Sequence, residues 1–194
     1  MARETDDDWR HYGSFEPYYG VLTHDRFLKA NLTEDALEEF WQTGQDDVQR
    51  LWAQLTQQFG HRAVQHALDF GCGVGRLTRA MAQIATNAVG VDVSPDMIAE
   101  GMIRLPPNVQ LTTNLPDGPF DWINSYIVFQ HIPPERGYEL LEKLLSRAAQ
   151  SCLISVHFTF FKDARGLSDH GANRANRRSV RLVKPSTARG SGAS

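Results

Sequence analysis

The chain has 194 residues, 41% of them hydrophobic and 22% charged, with a formal net charge of -3; this suits one globular domain with a buried core and excludes a disordered or fibrous chain. No run approaches the roughly 18 consecutive apolar residues of a membrane span, and the opening MARETDDDW lacks the apolar core of a signal peptide, so a cytoplasmic location is expected. The two cysteines, Cys72 and Cys152, form neither a C-x-x-C pair nor a histidine-cysteine cluster, which leaves metal binding without support.

Residues 5–20, TDDDWRHYGSFEPYYG, show neither helix nor strand period and are expected to form an irregular covering loop. Thr33 caps a short amphipathic helix with Leu37, Phe40 and Trp41 on one face, and Gly44 reads as its stop. A second helix is expected from Asp46 to Phe59, with Val48, Leu51, Trp52, Leu55 and Phe59 at helical spacing.

The apolar pair Ala67-Leu68 then leads through Asp69 into a loop with glycine at every second position: Gly71, Gly73 and Gly75. Glycine takes positive φ and has no Cβ to hold a ligand away from the backbone. Arg76 to Ile84 continues with apolar residues at Leu77, Ala80, Met81 and Ile84, completing a strand, glycine loop and helix. Ala88 to Val91 is the next strand and ends in Asp92, 17 residues after Gly75. An acidic residue at the tip of the second strand of a nucleotide-binding βαβ unit accepts hydrogen bonds from a ribose diol. Nicotinamide enzymes place a third glycine where this chain has Arg76, so an oxidoreductase is disfavoured. A loop headed by Asp69 suits a zwitterionic ligand end, its ammonium meeting the carboxylate and its carboxylate the backbone N–H groups. Cys72, inside the loop, reads as a small residue tolerated beside the ligand.

LDFGCGVGRL followed by GVDVSPDMI resembles the first two motifs of the class I S-adenosylmethionine-dependent methyltransferases, and FDWINSYIVFQHI resembles their fourth; the resemblance covers roughly residues 12 to 160. It implies S-adenosylmethionine as cofactor. Asp69, Gly71, Cys72, Gly73, Gly75 and Arg76 would surround the methionine end, and Asp92 with Val93 the ribose. Met97, on a helix opened by Ser94 and Pro95, would lie against the adenine, whose edge would meet Asn114 and Leu115 beyond a third strand, Asn108 to Thr112. It also implies an N-terminal segment across the cofactor, which makes Tyr18 and Tyr19 lid residues and places Tyr19 in the binding site.

Phe120 to Phe129 reads as a buried central strand, with Ser125 at its carboxyl end, where ligands bind in open α/β sheets. Gln130 and His131 follow. His131 is the candidate catalytic base or acceptor-orienting group, with a turn-capping role as the structural alternative. A helix over Tyr138 to Ala148 and a fifth strand over Ser151 to Phe160 come next.

Residues 1–161 hold 12 Lys and Arg against 21 Asp and Glu, whereas residues 162–194 hold 8 against 2. That basic tail is expected to be disordered, and the antiparallel strand pair that usually completes the family's sheet has no counterpart in its pattern. The expected architecture is a three-layer, Rossmann-like α/β fold of mainly parallel strands: a lid and helices over 1–62, a cofactor-binding core over 63–161 and a tail over 162–194. The expected function is methyl transfer to a small-molecule acceptor, with nucleic acid disfavoured as partner because no aromatic residue follows Phe161 in the tail. The alternative is a cofactor-binding but inactive or incomplete domain.

Overall fold

The structure, a computed structural model, describes residues 5–157. Expectations for the basic tail fall outside the described residues. Five parallel strands form one sheet: β1 (Val64–Phe70), β2 (Ala85–Val91), β3 (Val109–Thr112), β4 (Phe120–Tyr126) and β5 (Ala148–His157), in the order β3-β2-β1-β4-β5. Because all run the same way, the ends of β1, β2 and β4 share one edge. The order reverses between β1 and β4, and the crevice at such a reversal is where open α/β sheets bind ligands.

The register places Gly90 of β2, Asp69 of β1, Asn124 of β4 and Ser155 of β5 side by side across the sheet. The face around Ala67 and Trp122 packs against α3 (Glu34–Phe59) and α4 (Arg76–Met81), through Val48, Leu55, Leu77 and Met81. The opposite face, around Leu68 and Ile123, meets Leu144 of α6 (Pro134–Leu145) and Leu115 of the β3–β4 connection. After β2 comes α5 (Pro95–Met102), its first turn capped by the Ser94 hydroxyl, which accepts from the Met97 N–H.

Three expectations are corrected. Residues 5–20 are helical, not irregular: α1 (Thr5–Phe15) carries Asp6, Asp7 and Asp8 in its first turn, where acids favour the helix dipole, and Pro17 opens α2 (Pro17–Val21). The two helices expected over 33–59 are one, α3, which runs through Gly44. A Cβ at Gly44 would stand 2.5 Å from the Arg76 carbonyl oxygen, so the glycine is there for close helix–helix approach and not as a stop. β4 ends at Tyr126, after which a 3-10 turn, Phe129–His131, carries Gln130 and His131.

Candidate active site

The glycine loop is held in a left-handed path, with φ of 76° at Gly71, 55° at Gly73 and 83° at Gly75. Side chains with a Cβ are strained in that region. The N–H groups of Gly71 and Cys72 both donate to the Val91 carbonyl, at 2.7 and 3.0 Å, which ties the loop to the end of β2. Asp92 completes the tie: one carboxylate oxygen accepts from the Gly73 N–H at 2.8 Å and the other from the Ser94 N–H at 2.9 Å. Burial raises the Asp92 pKa, and the N–H groups of Ser94, Gly73 and Val93 oppose that rise. A carboxylate offers about four lone-pair sites, so acceptor capacity remains for a diol.

Asp69 is placed differently from expectation. It is only 2% exposed, and its oxygens accept from the Thr78 hydroxyl at 2.7 Å and the Asn124 amide at 2.9 Å. Its carboxylate lies beneath the loop and does not open toward a ligand ammonium. Burial raises its pKa; Thr78, Asn124 and the Arg76 charge oppose the rise, and the Asp92 charge adds to it. Arg76 also turns inward. Its guanidinium donates to Asp47 at 2.9 Å and to the Thr43 hydroxyl at 3.1 Å, locking α4 onto α3 in the space that Gly44 leaves. Cys72 is buried as well, and desolvation pushes its thiol well above the ordinary range, which argues against a nucleophile.

Met97 is buried in a cluster with Tyr18, Phe27, Leu37, Phe40 and Val74, so its thioether lies under the N-terminal helices and close to Gly73. Tyr18 belongs to that core and donates to Glu100 at 3.0 Å, while Tyr19 is half-buried. Burial raises the Tyr18 pKa. Val93 is half-buried beside Asp92, Asn114 is exposed beyond β3, and Leu115 packs against the opposite sheet face.

Beyond β4 the chain turns sharply. Ile127 has φ of 63°, an outlying conformation for a β-branched residue, and the Val128 side chain rests where a Cβ on Gly71 would be. Ser125 is buried, and its hydroxyl has no hydrogen-bond partner among the described residues. His131 is exposed, its ring 5.1 Å from that of Trp9 in an edge-to-face contact and its Nε2 3.2 Å from the Gln130 amide nitrogen.

Sequence reasoning missed α1 as a bridge over this edge. Gly13 packs against Ser94 and Met97 at one end of the helix, and toward the other Trp9 meets His131 while Asp6 makes a two-pronged ion pair with Arg136 of α6, at 2.6 and 2.8 Å. Thr78 and Asn124 were missed too. Each lies inside a stretch that reads as plain helix or strand, and no local signal marks it.

Residues 67–150 match the family model described as "Methyltransferase domain", and this span holds the loop, Asp92 and the turn at His131. That match, over less than half of the chain, is to a methyltransferase domain and agrees with the resemblance of LDFGCGVGRL and GVDVSPDMI to the class I S-adenosylmethionine-dependent methyltransferases. A solved methyltransferase of this fold, magnesium protoporphyrin IX methyltransferase from Synechocystis PCC 6803 with bound S-adenosylmethionine, superposes with a TM-score of 0.57 at 20% identity, over 82% of this chain and 78% of its own. Two curated methyltransferases are similar in sequence. Ribosomal RNA small subunit methyltransferase C of Idiomarina loihiensis is 34% identical over 90 residues, 43% of this chain and 27% of its own length. The 23S rRNA (uracil(1939)-C(5))-methyltransferase of Hahella chejuensis is 28% identical over 148 residues, 69% of this chain and 33% of its own. The chain thus spans about a third or less of the length of these curated relatives. Their names also correct the partner expectation: with two matching methyltransferases named for ribosomal RNA, the expectation of a small-molecule acceptor with nucleic acid disfavoured does not stand.

Proposed function

We propose that this methyltransferase domain binds S-adenosylmethionine along the glycine loop and transfers its methyl group to an acceptor at the β1–β4 crevice. The observation that carries this reading is the bond from the Gly73 N–H to Asp92, which sets the left-handed loop and the acidic tip of β2 against each other at the sheet's switch point. In this reading the remaining acceptor capacity of Asp92 takes the ribose hydroxyls, the glycines, lacking a Cβ, let the methionine end approach the loop backbone, and Val93 lies toward the nucleoside with Met97 packed beneath the loop. The same reading has the adenine edge meet the Asn114 amide beside Leu115.

The bound cofactor supplies a methyl group on a positively charged sulfur. The chain's own contribution is alignment, because an in-line displacement gains most from holding nucleophile and methyl carbon at attack distance. Gln130 and His131, exposed on the turn after β4, are the polar groups presented on the acceptor side, while Ser125, whose hydroxyl has no partner among the described residues, is buried at the end of β4. His131 accepts a proton only where the acceptor arrives protonated.

RNA is the acceptor class to test first, on the strength of the two relatives named for ribosomal RNA. Calorimetry with S-adenosylmethionine, S-adenosylhomocysteine and NAD tests the cofactor. Micromolar or tighter binding of the first two and none of the third is expected. Transfer of labelled methyl groups to total RNA, with and without ribonuclease, then tests the acceptor; label in RNA that ribonuclease releases is the supporting result.

A further inference from the structure

A row of polar groups crosses the sheet beneath the glycine loop. Ser155 donates its hydroxyl to the Asn124 side-chain oxygen at 2.8 Å and accepts from the Trp122 indole N–H at 3.0 Å. Asn124 donates to Asp69 at 2.9 Å, and Asp69 accepts from Thr78, in the first turn of α4, at 2.7 Å. Asp69, Asn124 and Ser155 are register neighbours on β1, β4 and β5. Gly90 holds the next place on β2, and a Cβ there would stand 2.8 Å from the Thr78 hydroxyl and 2.6 Å from Leu111, so the glycine leaves the room into which Thr78 reaches.

Asp69, Thr78 and Asn124 are at most 2% exposed, and no ligand reaches them in this arrangement. Yet the row joins the two ends of the loop. Asp69 lies at the end of β1 and Thr78 just inside α4, so their hydrogen bond closes the segment carrying Gly71, Gly73 and Gly75 into a ring. Asn124 anchors that ring to β4, the other wall of the crevice. Away from solvent, a hydrogen-bonded row of this length fixes geometry only if every member is satisfied; here each hydroxyl, amide oxygen and carboxylate oxygen in the row has a partner.

We infer that Thr78 and Asn124 are positioning residues, which act through Asp69 to hold the glycine loop in its ligand-binding path. The inference deepens the cofactor reading above, on which it rests for the identity of the ligand alone. Loop rigidity is a property of the protein by itself. The charged and titratable groups facing Asp69 are Arg76 on α4, Asp92 after β2 and Cys72 in the loop. With two carboxylates and one guanidinium about the loop, removing a donor from Asp69 moves its titration upward.

Thr78→Val keeps shape and deletes the donor, and Thr78→Ser restores it. In the ligand-free protein, the amides of Gly73 and Gly75 should exchange at least tenfold faster in Thr78→Val than in the native chain and return to native rates in Thr78→Ser. S-adenosylhomocysteine affinity should fall about tenfold or more in Thr78→Val, its loss on acidification beginning at higher pH, with both changes reversed in Thr78→Ser. Asn124→Asp serves where Thr78→Val fails to fold. It sets two carboxylates side by side, so one must hold a proton for the row to close; loop protection and affinity should then be poor at high pH and recover as the pH is lowered. Native exchange rates in folded Thr78→Val, or a pH-independent native profile in Asn124→Asp, overturn the inference. Altered exchange together with no cofactor binding by the native chain would refute the cofactor reading and leave the positioning role standing.

Discussion

Replacing Asp92 by alanine removes acceptors from two sides. Toward the protein, the N–H groups of Gly73 and Ser94 lose partners at 2.8 and 2.9 Å. Each hydrogen bond to a charged group is worth roughly 1.5–3 kcal/mol, but burial already raises this carboxyl's pKa, so the variant also sheds the cost of keeping a buried charge. The net change in stability should be well below the sum of the two bonds. Toward the proposed ligand, two hydroxyls lose a charged acceptor, for roughly 3–6 kcal/mol, or more than about a hundredfold in affinity. Calorimetry with S-adenosylhomocysteine and with its 2′,3′-dideoxy analogue separates the two sides. The native chain should bind the analogue far more weakly than the parent, whereas Asp92→Ala should bind both alike. If folded Asp92→Ala binds S-adenosylhomocysteine as the native chain does, or suffers the same analogue penalty, Asp92 does not hold the ribose.

Three further expectations follow from the geometry. An exposed helical glycine changed to alanine gains roughly 1 kcal/mol, but Gly44→Ala should lose about 1–3 kcal/mol in denaturant unfolding, because the new methyl would stand 2.5 Å from the Arg76 carbonyl oxygen; a stabilised variant would refute the close-packing account. Asp69 titrates above its ordinary value near 3.8 in the folded chain, so between that value and the raised one the folded chain keeps a proton that the unfolded chain has released. Its contribution to stability is intact below the ordinary value and declines as pH rises through the interval, and Asp69→Asn, which can still bond Thr78 and Asn124, should flatten that slope in melts taken across the range. His131→Gln should lower methyl transfer while leaving S-adenosylhomocysteine affinity near native, and activity per folded molecule that survives alongside a lowered melting temperature would assign the residue to the edge contact with Trp9.

The parts of the fold that were legible are those whose signal is local. Gly71, Gly73 and Gly75 announce a left-handed loop, Ser94-Pro95 a helix start, and the apolar run from Phe120 a buried strand, because each depends on a residue's own φ, cap or period. What stayed hidden depends on distant partners. α1 has no apolar stripe to read; it is seated by Gly13 against α5 and by Asp6 against Arg136, 130 residues away. Gly44 looks like a helix stop until Arg76 is seen to occupy the space beside it. Likewise Asp69 and Arg76, both polar residues flanking a ligand loop, invite a direct role, and only their burial with Thr78, Asn124 and Asp47 turns them into supports.

The bridge formed by α1 has ends of unlike chemistry. Its Gly13 end is seated by steric fit against α5, which dissolved salt does not touch. At the Asp6 end the contact is largely ionic, and the Arg136 side chain remains 42% exposed, open to screening by counterions over a Debye length of about 8 Å at physiological ionic strength. Raising the salt concentration should therefore weaken that ion pair and leave the Gly13 contact as it is. The Trp9–His131 ring contact then carries more of the hold of α1 on that side of the crevice.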